Sequence, residues 1–310
     1  MIELESVSKR YDRLLAVDGV SLAVERGELL GLIGPNGAGK TSIMKMMATL
    51  ATPDRGTVRL LGWPTQRAPG ALRRRLGYMP AEFGRMPDMT VAEYLSYFGA
   101  ACGVPRAVRR RRVEDVLDLV DLTARRDSLV GSGSTGIKQR TLIAKTLVHD
   151  PDVLILDEPA AGLDPRARVE VREVLKELRR IGKTIVVSSH ILADMEEICD
   201  RVAILEHGRL VAHGSVAELT RDLARPSATA AWVVRVAPGT QDRAAEVLGG
   251  LEGVSSVALE EEGVRFATDA ASANPALRAL LAAEVEVVAL RPEGPRLEDV
   301  FLQQTRGTIA

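Results

Sequence analysis

A strand expected over Glu28 to Ile33 empties into Gly34-Pro35-Asn36-Gly37-Ala38-Gly39-Lys40-Thr41, and a helical stretch follows over Ser42 to Leu50. No other feature restricts the fold as tightly. The octet fits G-x-x-x-x-G-K-[ST], and its place between a strand and a helix makes it a loop whose backbone N–H groups converge on phosphate. Its glycines permit the turn, and the helix adds its positive N-terminal end. Gly34, Pro35, Asn36, Gly37, Ala38, Gly39, Lys40, Thr41 and Ser42 are the expected nucleotide-phosphate residues. Lys40 would reach the β and γ phosphates, and Thr41 would offer its hydroxyl to Mg²⁺.

The complementary half lies at Val153-Leu154-Ile155-Leu156-Asp157-Glu158. An apolar strand inside a sheet has no reason to end in two carboxylates unless something cationic meets them. Asp157 is expected to bind Mg²⁺, directly or through water, and Glu158 to polarise an attacking water. A guanine-reading N-K-x-D pattern is missing, since the chain has only Asn36 and Asn274 and neither precedes a lysine. A second apolar strand, Thr184 to Ser188, follows a long helix running from near Pro165 to near Gly182, and that spacing implies a parallel sheet.

Between the two phosphate motifs stands Gly133-Ser134-Thr135-Gly136-Ile137-Lys138-Gln139-Arg140, opening a helix that runs to about Val148. Here the sequence resembles the ABC-cassette ATPases, whose signature reads L-S-G-G-Q before a basic helix start. Ser134 and Gly136 agree with it; Gly133, Thr135 and Ile137 depart. Ala161-Gly162-Leu163-Asp164 resembles the family's D-loop, His190 its switch histidine, and Tyr11 its adenine-stacking aromatic. The resemblance implies that Ser134 and Gly136 meet the γ-phosphate of ATP held by a second copy, that Asp164 works across the same interface, and that His190 senses that phosphate. In Leu76-Gly77-Tyr78-Met79-Pro80-Ala81-Glu82 the family's glutamine is replaced by Ala81, which neither ligates Mg²⁺ nor hydrogen-bonds water; Glu82 stands one residue further on.

The resemblance covers about residues 1–225 and implies a P-loop NTPase cassette of the α/β class, with an antiparallel β subdomain and a helical subdomain at about 89–148. Near Arg225-Pro226-Ser227 the character changes. Residues 226–310 hold seven basic and twelve acidic side chains, a net of −5, which leaves +4 on the first 225 residues. Strand, helix, strand, strand, helix, strand is the expected order from Trp232 to Leu290, so 226–310 reads as a small C-terminal α+β domain of ferredoxin-like pattern, closed by a helix over Leu297 to Gln304. Leu297-Glu298-Asp299-Val300-Phe301 resembles the end of an extension carried by bacterial drug- and polysaccharide-export ATPases of the daunorubicin-resistance type.

Composition sets limits on partners. With 41 basic and 42 acidic residues the chain has no global attraction to nucleic acid or anionic lipid, and ten aromatics are too few for a base-stacking surface. Cys102 and Cys199 make neither a disulfide framework nor a zinc site, which fits a reducing cytoplasm. No signal peptide or apolar run of bilayer length is present, so in a membrane process another chain would span the membrane, and the resemblance to export ATPases implies that this partner is a separate integral-membrane permease. The expectation is therefore an ATP- and Mg²⁺-dependent exporter subunit, homodimeric, peripheral on the cytoplasmic face of the plasma membrane, with no nucleic acid. Phe83, Met86, Met89, Val91, Tyr94 and Tyr97 are expected either to line a groove for a permease helix or, for the two tyrosines, to fill subdomain core. Two alternatives stay open. The Arg73–Arg75 and Arg109–Arg112 runs fit a soluble ABC ATPase acting on nucleic acid or ribosomes, and Ala81 with the altered signature fits a weakly hydrolysing regulatory subunit.

Overall fold

A computed structural model of the chain describes residues 1–67, 69–81, 84, 88–221, 230–260, 263–269, 272–293 and 297–305. It separates into two compact units, Met1–Val216 with the C-terminal segment from Gln304, and Ala217–Gln303. The boundary expected between 225 and 226 falls within 222–229, outside the described residues.

In chain order the first unit contains β1 (Ile2–Tyr11), β2 (Leu14–Val24), β3 (Leu29–Ile33), α1 (Lys40–Met47), β4 (Arg55–Leu60), β5 (Trp63–Pro64), α2 (Pro69–Arg73), β6 (Leu76–Met79), α3 (Val91–Ala101), α4 (Arg106–Leu119), α5 (Thr135–Leu147), β7 (Val153–Leu156), α6 (Pro165–Arg180), β8 (Thr184–Ser189), α7 (Leu192–Ile198), β9 (Arg201–Glu206) and β10 (Arg209–Gly214). A six-stranded sheet runs β10-β9-β3-β8-β7-β6, with β10 antiparallel at one edge and the other five strands parallel. Strands buried on both faces are mostly apolar, and every residue of β3, β7 and β8 is buried, the polar Thr184, Ser188 and Ser189 of β8 each being hydrogen-bonded. Each Val, Leu or Ile so removed from water contributes roughly 1.5–3 kcal/mol.

A second, antiparallel sheet runs β2-β1-β4-β5. Between the sheets lies α1, whose Ile43, Met44, Met46 and Met47 share one core cluster with Ile2, Val7 and Val58 of the antiparallel sheet and with Leu30, Leu32 and Val186 of the parallel one. This helix starts at Lys40, two residues before the expected Ser42, because Gly39 caps it in the left-handed region at φ 100°. It ends at Met47 rather than Leu50, where Thr49 turns left-handed at φ 63°.

The helical subdomain is built from α3, α4 and α5. A capping box starts α3: Glu93 N–H donates to Thr90 Oγ1 at 3.2 Å, and Thr90 N–H donates back to Glu93 Oε2 at 2.9 Å. Val91, Leu95, Val113 and Leu117 are buried, and so is Tyr94. Val91 and Tyr94 are therefore subdomain core, not groove lining, whereas Tyr97 is 57% exposed and cannot be the core residue that one expectation allowed. Phe83 and Met86 lie outside the described residues, as does Glu82. Several arginines of the charge runs are occupied within the chain: Arg75 pairs with Asp152 at 2.5 Å, Arg109 donates to the Val104 carbonyl, and Arg112 pairs with Asp150 at 2.9 Å.

The second unit holds α8 (Val216–Arg221), most of which it includes, then β11 (Ala230–Val236), α9 (Gln241–Gly249), β12 (Val254–Glu260), β13 (Gly263–Thr268), α10 (Asn274–Ala282), β14 (Val287–Glu293) and α11 (Leu297–Gln304). Its sheet runs β12-β13-β11-β14 with every pair antiparallel, the split βαβ arrangement expected of the tail. Val234, Val264 and Phe266 of the sheet pack against Ala244 and Leu248 of α9 and Ala276 and Leu280 of α10.

Candidate functional site

In a parallel sheet the loops leaving the carboxyl ends of adjacent strands converge. Ile33 of β3 pairs with Ser189 of β8, and Leu156 of β7 pairs with Val187 of β8. Gly34, Asp157 and His190 therefore open three neighbouring loops at the carboxyl end of the sheet.

The phosphate loop is held by close backbone approach. A Cβ at Gly39 would stand 2.5 Å from the Ala16 carbonyl of β2, and one at Gly34 would collide with the Leu205 carbonyl. Gly208 N–H donates to the Ala38 carbonyl at 3.1 Å, tying the β9–β10 turn to the same loop. Gly34, Ala38 and Lys40 are buried, while Pro35, Asn36 and Gly37 form an exposed crest and Thr41 faces outward. Lys40 Nζ donates to the Gly34 and Pro35 carbonyls at 2.6 and 3.1 Å. Burial lowers the Lys40 pKa below the usual ammonium value, opposed by the charges of Glu158 and Asp157. The loop and the paired carboxylates thus act on each other electrostatically.

Asp157 is 1% exposed. Ser188 Oγ donates to its Oδ1 at 2.7 Å, whereas its Oδ2 is buried without a partner among the described residues. An unpaired, buried carboxylate oxygen beside a phosphate cradle fits a divalent cation, which takes hard oxygen ligands of this kind. Tyr78, on the neighbouring β6, has its hydroxyl pKa pushed up to about 12 by burial and by the Asp157 charge. Glu158 stands in the left-handed region at φ 50°, a conformation costing roughly 1–3 kcal/mol for a residue with a side chain. Its N–H donates to Ser188 Oγ at 2.9 Å, and its Oε2 lies 2.8 Å from His190 Nδ1. The carboxylate and the imidazole, whose side chain is 60% exposed, form one accessible pair.

Ser134 caps α5, its Oγ accepting from Ile137 N–H at 3.5 Å. Gly136 lies against Leu163, and Gly162 against Thr135, so the signature turn packs on the D-loop. Asp164 caps α6 by accepting from Ala167 N–H at 2.9 Å. Among the described residues no hydrogen bond or ion pair joins Ser134 or Gly136 to residues 34–42 of the same chain. Tyr11 is 41% exposed at the tip of the β1–β2 hairpin, paired with Leu14 two residues from the Ala16 that touches Gly39. Ala81 is exposed just past the end of β6.

Two residues here escape sequence reasoning. Ser188 bridges Asp157 and the Glu158 peptide, and its only signal is the polar pair that closes an otherwise apolar strand. Gln139 donates from Nε2 to the Glu158 carbonyl at 3.0 Å. Its signal is a buried polar residue in register with Leu142, Ile143 and Thr146 on the packed face of α5.

The model of the ABC transporter family matches residues 17–161. Nod factor export ATP-binding protein I of Paraburkholderia xenovorans is 42% identical over 218 residues, covering 70% of this chain and 72% of that protein. The chain belongs to the ABC transporter ATP-binding family. As an ABC ATPase it also matches the linearmycin resistance ATP-binding protein LnrL of Bacillus subtilis, 29% identical over 313 residues that span 100% of this chain and 99% of that one. That match includes the C-terminal unit. Among solved structures, a dimeric bacterial ABC transporter cassette is similar with a TM-score of 0.65 at 25% identity, covering 69% of this chain and 98% of that one.

Proposed function

We propose that this ABC ATPase powers an exporter, as a peripheral subunit on the cytoplasmic face of a separate integral-membrane permease. Two copies pair head to tail. Each holds ATP on Gly34–Ser42, with Tyr11 against the adenine, and each completes the other's site with Ser134 and Gly136. A magnesium ion accompanying the nucleotide would be held by the Thr41 hydroxyl and Asp157 and would neutralise charge on the phosphates.

Lys40 exchanges its two loop carbonyls for phosphate oxygens, a swap that keeps a buried ammonium hydrogen-bonded. Glu158 takes the proton of the attacking water, and His190, beside its carboxylate, orients it toward the terminal phosphate. Asp164 stiffens the α6 start at the seam between copies. Loss of the terminal phosphate removes the contacts that held Ser134 and Gly136 in place, the pair reopens, and the permease follows.

The observation that carries this reading is a division of labour. Phosphate loop, paired carboxylates and histidine meet at the carboxyl end of the sheet, while among the described residues no hydrogen bond or ion pair joins Ser134 or Gly136 of the same chain to residues 34–42. A second copy supplies what each lacks. Relatives named for Nod factor export and linearmycin resistance support the direction of transport. The test is reconstitution. The reading requires a neighbouring gene for a polytopic membrane protein; vesicles carrying that protein should bind this chain and raise its ATPase rate severalfold, and Lys40→Ala should abolish both resting and stimulated rates. Hydrolysis that proceeds unaided, with no binding to that membrane protein, contradicts the export reading.

A further inference from the structure

Gln139 sits in the second turn of α5, 6% exposed, with its Nε2 on the main-chain oxygen of Glu158 at 3.0 Å. That oxygen also accepts from the Ala161 amide at 3.1 Å, and the Glu158 amide is fixed by Ser188 at 2.9 Å. Hydrogen bonds therefore hold both ends of residue 158, two donors on its carbonyl and an acceptor on its amide, while its φ stays at 50°, where an L side chain crowds its own carbonyl. Released from one of them, the backbone gains freedom to return to negative φ, which swings the carboxylate away from His190. We propose that Gln139 is a positioning residue that keeps Glu158 in its left-handed, working conformation and makes α5 the lever through which the signature turn acts on it. The inference rests on the reading of Glu158 as general base and of Ser134 and Gly136 as contacts to the partner copy's ATP.

The physical link is short. Ser134, Gly136 and Gln139 ride on the first turns of one helix, so a displacement of that turn by nucleotide in the partner copy moves the Gln139 amide by a comparable amount. The packing of Gly136 on Leu163 and of Gly162 on Thr135 makes the D-loop move with it. Each ATP site then reports its occupancy to the carboxylate of the other through one hydrogen bond. Misplacing a reacting group by about 1 Å costs on the order of 100-fold in rate, so the bond is sufficient for control.

Gln139→Met keeps length and volume and removes the donor. In the full-length chain with ATP and magnesium, it should lower kcat by roughly 10- to 100-fold while KM for ATP and the melting temperature stay close to wild type. In a double-mutant cycle with Ser134→Ala, the two losses should be strongly sub-additive, because both cut the same linkage. An unchanged kcat overturns the proposal. So does a fall in kcat matched by loss of ATP affinity or of thermal stability, which would make Gln139 a packing residue, and so do additive losses, which would sever it from Ser134. A wild-type chain that neither hydrolyses ATP nor pairs would instead refute the function proposed above, and would be seen before any variant is made.

Discussion

Lys40 is a buried cation whose partners in this structure are two carbonyls of its own loop, and a phosphate is a better partner than either. Removing it deletes charge-assisted hydrogen bonds worth roughly 1.5–3 kcal/mol, so Lys40→Ala should weaken ATP binding about 10- to 100-fold by calorimetry. Affinity unchanged by that substitution would remove Lys40 from the cradle. Glu158 makes the opposite split. Glu158→Gln keeps the shape and the backbone bonds but cannot take a proton, so phosphate release should fall by roughly 100- to 10,000-fold with ATP affinity within a few-fold of wild type. Undiminished release would assign the base elsewhere. At this scale the sequence was readable because its motifs place chemistry at fixed chain positions: Asp157, Glu158 and His190 follow the ends of β7 and β8, and Lys40 opens α1 after the loop that leaves β3. Ser188 and Gln139 were not readable. A hydrogen bond from a helix to a carbonyl 19 residues away depends on packing, and no local pattern encodes it.

Elements were legible where one physical signal dominated. The run Val153–Leu156 is apolar on every side, and the strand has those limits. Boundaries moved where a left-handed residue intervened, as Gly39 and Thr49 do at the two ends of α1. The groove expectation failed for Val91 and Tyr94 because spacing reveals an amphipathic face but not which neighbour covers it; α3 turns that face to the rest of its own subdomain. The junction of α5 with β6 also carries a pH dependence. His149 Nε2 donates to the Leu76 carbonyl at 3.0 Å, and its buried Nδ1 has no partner among the described residues. Burial lowers its pKa below the ordinary 6.5, outweighing the Leu76 bond and the Asp150 charge. The unfolded chain takes up this proton first as pH falls, so stability present above about 6.5 is lost on acidification through the depressed folded value. His149→Gln should flatten the fall in melting temperature between pH 7 and 5; an unaltered slope would show that His149 does not contribute to it.

For the whole molecule, the charge shift after residue 225 set the expected boundary at 225/226, whereas the compact units divide between Val216 and Ala217 and the segment from Gln304 belongs to the first; the expected βαββαβ order is that of the all-antiparallel β12-β13-β11-β14 sheet. What one chain's sequence does not display is the proposed completion of its site by a second copy, since half of such a reaction centre would lie on the far side of an interface. That pairing supports everything proposed about turnover and transport. It is tested most directly by the mass of the purified Glu158→Gln chain in solution, by light scattering with and without ATP and magnesium. The account predicts a monomer without nucleotide and a stable dimer with it, reversed to monomer by adding Lys40→Ala. A chain that stays monomeric at saturating ATP contradicts it.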